Sequence, residues 1–169
     1  MPELRKDPIS DRWVIISTER GKRPHDFKEG GAGTITSAKG CPFCSGNEDK
    51  TPPEISAVRE KGTEPNKPGW SVRIVENKFP ALQSEGEVHR CGTGIFDEIT
   101  GIGRHEVIIE TPKHGENLAE MDVAHIEKIL WHTSTGLRSW SGTTGCDIFW
   151  SSRITGNSPG HRWNTHIHR

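Results

Sequence analysis

The stretch GWSVRIVENKFPAL, residues 69–82, holds the segment on which the fold turns. Residues 70–79 are rich in β-branched and aromatic side chains and lie between Gly69 and Pro80, which predicts a strand. RWVIIS (12–17) and HEVIIET (105–111) have the same character and predict two more. NLAEMDVAHIEKILW (117–131) differs: Leu118, Met121, Ile126, Ile129 and Leu130 recur at a rough helical period, so a helix is expected to begin near Leu118 or Asp122. Residues 20–69 read as loop-rich, and nineteen glycines and eleven prolines imply many turns. Together these segments predict an α+β fold, an antiparallel sheet with one main helix.

At 169 residues the chain is expected to form one domain with a real core. A hydrophobic fraction of 30% and a mean hydropathy of −0.70 argue against a membrane protein, and no apolar run approaches the roughly 20 residues that a spanning helix needs. MPELRKDPIS at the N-terminus has no apolar core of the kind a secretory signal carries. A net charge of −1 gives no electrostatic reason to expect nucleic-acid binding. Four cysteines without an export signal fit a reducing cytoplasm, where thiols serve as ligands or core fillers.

CPFC places Cys41 and Cys44 at the two-residue spacing that lets two thiolates of one tight turn ligate a tetrahedral zinc. A redox dithiol or two unrelated buried thiols are the alternatives. SGNEDKTPPE after the motif starts a helix poorly, which speaks against a thioredoxin-like site. In ERGKRP, Arg20, Lys22 and Arg23 follow a strand; such arginines clamp phosphate, or form a solvated basic turn. NKFPAL ends a strand with Asn77 and Phe79, which suit a ribose and a base as well as they suit strand-end capping and packing. His114, just beyond a strand in TPKH, is either a third zinc ligand or an ordinary loop histidine.

Taken in order, DPISDRWVIISTERGKRP, CPFCSGNEDKTPPEI, GWSVRIVENKFPAL, GIGRHEVIIETPKH and the following helix resemble the N-terminal half of galactose-1-phosphate uridylyltransferases, members of the histidine-triad-like superfamily. The resemblance runs from about Pro2 to Trp131. It implies a half-domain of that fold and a cytoplasmic nucleotidyltransferase of galactose metabolism, which forms a homodimer when intact. Such an enzyme moves a uridylyl group from UDP-glucose to a hexose 1-phosphate through a uridylyl-histidine. A histidine nucleophile suits the chemistry, because it divides one difficult transfer between two anions into two easier ones. The resemblance further implies that Cys41, Cys44 and His114 ligate zinc, that Arg20 and Arg23 contact phosphate, and that Asn77 and Phe79 flank ribose and uracil.

The family's nucleophile and fourth zinc ligand lie in a later His-Pro-His-x-Gln motif, which this chain lacks. From His132 onward there is neither lysine nor glutamate, although both abound earlier. The genetic code offers a reason. In the neighbouring phase each codon takes the last base of one residue and the first two of the next. Phe149-Trp150 then must encode Leu, and the pairs through Gly156 allow LVFKNHG, the expected hydrophobic strand. Pairs from Pro159 to Arg169 allow GASLEHPHSQ, the missing motif. HTSTGLRSWSGTTG likewise allows a charged helix. One base lost at Trp131 produces the whole tail. Residues 1–131 are thus read as the uridylyltransferase part, truncated, and 132–169 as an out-of-frame, poorly ordered tail. Thr165 and Ile167 stand where zinc ligand and nucleophile belong. His166 and His168 in the terminal HRWNTHIHR are only weak substitutes.

Three functions follow from this reading. The first is a uridylyltransferase by ancestry whose product, as written, is inactive. The second is a non-enzymatic zinc-binding fragment. The third, a nucleotide hydrolase or phosphorylase of the same superfamily, fits less well because those small proteins lack the CPFC and NKFPAL segments.

Overall fold

In the computed structural model, which describes residues 1–18, 21, 40–140 and 149–153, eight strands and one α-helix form two four-stranded sheets. The strands are β1 (Glu3–Lys6), β2 (Trp13–Ile16), β3 (Glu54–Arg59), β4 (Trp70–Glu76), β5 (Arg90–Thr93), β6 (Phe96–Thr100), β7 (Arg104–Ile109) and β8 (Phe149–Arg153). The helix α1 is Val123–Trp140. One sheet has the order β2-β1-β6-β5 and the other β3-β4-β7-β8.

β4 is one of the two inner strands of the second sheet. It stops at Glu76 rather than Phe79, because the Asn77 carboxamide oxygen accepts the Phe79 amide and Pro80 has no N–H to continue a ladder. β4 pairs antiparallel with β3 and β7, placing Val75 opposite Val107 and Ile74 opposite Ile108. Alternation sends these pairs to opposite faces, and both faces are covered. On one, Val72, Ile74 and Ile108 pack with Ile129 of α1. On the other, Val75, Val107, Ile109 and Trp70 pack with Phe43, which lies between the two cysteines of CPFC. The helix and the cysteine turn therefore clasp the sheet from opposite sides.

Every strand pair is antiparallel except β7 with β8, which runs parallel from Arg104 opposite Phe149. The reason is α1: its eighteen residues carry the chain roughly 27 Å back along the sheet, so the next strand enters in the same direction as β7. A short 3-10 turn (Leu118–Glu120), with reciprocal Asn117 and Glu120 contacts, precedes the helix and accounts for apolar periodicity that starts before Val123. α1 continues through Trp140, past Trp131.

The first sheet has its own small core of Leu4, Leu82 and Ile99. It is joined to the second through 101–103, where Gly101 donates to the Pro2 carbonyl, and Gln83 donates its amide to the Gly101 carbonyl and accepts the Gly103 amide. A Cβ at position 101 would come within 2.8 Å of the Pro2 carbonyl carbon, so only glycine fits this crossing. Among the described residues no helix is long and apolar enough to cross a membrane.

Candidate functional site

Cys41 and Cys44 are both buried, on a turn closed by the Cys44 amide donating to the Cys41 carbonyl and by the Asn47 side chain donating to the same oxygen at 2.8 Å. Ser45 donates its amide to the Pro112 carbonyl, which ties this turn to the segment leaving β7. Two residues later that segment presents His114, whose Nδ1 lies 3.2 Å from the Cys44 sulfur. The donor atoms of Cys41, Cys44 and His114 all lie within 4.8 Å of one another.

Two thiols and an imidazole at this separation fit three corners of a tetrahedral zinc site, which prefers this mixed sulfur and nitrogen donor set. Burial, reinforced by Cys41, pushes the Cys44 thiol up to about 11. Zinc would reverse that preference by binding the thiolates.

The turn is anchored to β4 through Glu48, a buried carboxylate. Glu48 accepts the Gly46 amide at 3.0 Å and the Trp70 indole N–H at 2.8 Å. Burial alone would raise this carboxyl, but the donors at Trp70 and Gly46, with Arg73 nearby, hold it below the ordinary carboxylate range. Beside it, the Arg73 guanidinium is 1% exposed and donates to Glu54, Thr51 and Asn66. Arg59 shares the same Glu54 oxygen.

Asn77 lines a second feature, a cleft of about 390 Å³ at the end of β4 and the start of β7. Its wall includes Glu76, Asn77, Gln83, Arg104, His105 and Glu106. Buried His105 accepts the Ala81 amide at Nδ1 and sets Nε2 3.0 Å from the Asn77 carboxamide nitrogen. Burial raises the Glu106 carboxyl; Arg104 opposes this, and Glu76 adds to it. Phe79 is half-buried and does not line this cleft, nor do the three zinc-ligand candidates.

Residues 1–139 match the family model described as galactose-1-phosphate uridyl transferase, N-terminal domain. The chain belongs to this family. An ADP-glucose phosphorylase of Arabidopsis thaliana is 40% identical over 132 residues, covering 76% of this chain and 36% of the relative. A galactose-1-phosphate uridylyltransferase of Thermotoga maritima is 29% identical over 131 residues, covering 77% and 33%. A solved uridylyltransferase structure superposes with a TM-score of 0.51 at 28% identity, over 81% of this chain and 35% of that one. The chain therefore spans about a third of the length of the curated relatives it matches. The family's half-domain fold agrees with the α+β reading.

Of the residues singled out from the sequence, the structure brings together Cys41, Cys44 and His114, and sets Asn77 on a cleft wall. Arg20, Arg23, His166 and His168 lie outside the described residues. Glu48, Trp70 and His105 escaped the sequence reading. A glutamate in a turn rich in charged residues looks like any solvated side chain, and only its position four residues after Cys44 hints at more.

Proposed function

We propose that this chain is the nucleotide-binding, zinc-braced part of an enzyme that transfers a nucleotidyl group from a nucleotide sugar, UDP-glucose, to a hexose 1-phosphate. The convergence of Cys41, Cys44 and His114 on one point, in a chain of this family, is the observation that carries the reading. Zinc, when bound, joins the cysteine turn to the segment after β7. It acts as a brace.

In this reading Arg20 and Arg23 neutralise the phosphates. Bidentate guanidinium contacts hold the non-bridging oxygens and stabilise charge as the phosphoryl bond breaks. Asn77 and Phe79 flank ribose and base; the Asn77 oxygen accepts the Phe79 amide and its nitrogen stands 3.0 Å from His105 Nε2, which fixes the side chain at the cleft wall. Attack on the α-phosphorus needs an imidazole from the histidine motif, and that motif is out of frame beyond Trp131. The chain as written therefore binds nucleotide in the cytoplasm without turning over, and it dimerises only when whole.

Assay of the purified chain with UDP-glucose and galactose 1-phosphate tests this, alongside a coding sequence restored by one base at Trp131. The restored protein is expected to show ping-pong turnover and the present chain none. Turnover by the present chain would mean that His166 or His168 substitutes, and would overturn the assignment of inactivity. A restored protein that binds zinc without turnover would leave only the zinc-binding fragment.

A second reading is supported by the 40% identity to an ADP-glucose phosphorylase: the sugar nucleotide is ADP-glucose and the acceptor is phosphate. The same assay run with ADP-glucose and phosphate separates the two, because each donor–acceptor pair should turn over at the expense of the other.

A further inference from the structure

We propose that Glu48 is the positioning residue that holds the Cys41–Cys44 turn in its metal-ready shape, by clamping Gly46 and Trp70 together. This rests on the zinc reading above but adds a residue that touches neither metal nor nucleotide.

A buried carboxylate is costly unless its oxygens are well paired. Both Glu48 oxygens converge on the Gly46 amide, at 3.1 and 3.0 Å, and one also takes the Trp70 indole proton at 2.8 Å. Gly46 lies two residues after Cys44 at φ +92°, a conformation that a flexible turn does not keep by itself. Trp70 is 4% exposed at the start of β4 and packs in the same apolar cluster as Phe43, the residue between the cysteines. Glu48 thus grips the turn from behind while Phe43 seats its front.

A second path runs the same way. The Thr51 hydroxyl donates to the Glu48 carbonyl and accepts from Arg73 of β4. An apolar residue at 48 would fill the space but leave the buried Trp70 N–H, and the Gly46 amide, without this acceptor. The carboxylate's value lies in fixing where the two sulfurs stand. A turn already ordered loses less conformational freedom when metal binds, so its affinity is higher.

The test measures zinc affinity of the purified chain by competition with a chromophoric chelator, and thermal unfolding of the metal-free chain. Glu48→Gln keeps the size and one acceptor; Trp70→Phe keeps an aromatic side chain, though a smaller one, and loses the donor. Each is expected to bind zinc about 10–100-fold more weakly, as loss of an outer hydrogen-bond partner does at metal sites. Metal-free midpoints should fall by only a few degrees, for the lost hydrogen bonds and, in Trp70→Phe, the lost volume. Val72→Ala, on the opposite face of the sheet, should lower the midpoint and leave zinc affinity unchanged.

Parent-like affinity in both Glu48→Gln and Trp70→Phe overturns the proposal and leaves the zinc site standing. So does a lowered midpoint with zinc affinity retained. Parent and Cys44→Ser chains that bind zinc equally poorly overturn the zinc reading itself, and this inference with it.

Discussion

Cys44 and His114 stand with sulfur and Nδ1 3.2 Å apart, although seventy positions separate them in the chain. The contact exists because β4 and β7 are paired neighbours. One carries the cysteine turn on its face through Trp70 and Glu48, and the other delivers His114 from its end.

Zinc should therefore stabilise the folded chain. At a free concentration about 100-fold above the dissociation constant, the gain is about 2.7 kcal/mol, and for a chain of this size the melting midpoint should rise about 5–10 °C. Cys44→Ser and His114→Ala should each lose most of that rise. Differential scanning fluorimetry with and without zinc measures it, and an equal rise in all three chains would remove these residues from the site.

Arg73 poses a different test. Its guanidinium is buried on the cysteine-turn side of the sheet among Glu54, Thr51 and Asn66. Arg73→Ala should cost about 3 kcal/mol, the low end for breaking a buried pair, since Arg59 still neutralises Glu54. Urea unfolding of the two chains gives the difference, and a loss below about 1 kcal/mol would show that Arg59 suffices.

Acid should weaken the fold through His132, the first residue past the inferred slip. Its Nε2 is buried on α1 without a hydrogen-bond partner, and burial holds the ring below its ordinary value despite a backbone contact at Ser56. The unfolded chain thus takes up the proton first. Stability from this site is complete above pH 6.5 and declines as the pH falls through that value toward the lower folded one. His132→Leu should flatten that slope, seen by comparing urea midpoints at pH 7.5 and 5.5. An unchanged slope would place the acid sensitivity elsewhere.

Glu106 acts with the opposite sign. Burial raises its carboxyl in the folded chain, so the folded state holds a proton that the unfolded state has released, and stability falls as pH rises through that interval. Glu106→Gln should unfold at higher urea than the parent at pH 8, with the gap narrowing on acidification. A variant less stable than its parent at pH 8 would mean that the contact with Arg104 outweighs burial.

Three strands, the helix and the Cys41–Cys44 pair were legible because their signals are local or short-range. A β-branched run, an apolar period and Cys-x2-Cys need no partner to be recognised. β3, with the sequence EISAVR, lay in a region read as loop; its pairing with β4 decides its state. β1 and β5 are likewise short and polar, and ladders to β6 hold them extended.

The order of residues alone determined the family, the β-branched run that forms β4, the cysteine spacing and the change of character after Trp131. Each is written in neighbouring positions, where covalent geometry limits the choices. Tertiary pairing decided which histidine meets the cysteines, that Glu48 sits behind the turn, and that β8 runs parallel to β7. Those depend on free energies of burial and hydrogen bonding between segments far apart in the chain, and no short window of sequence contains both partners.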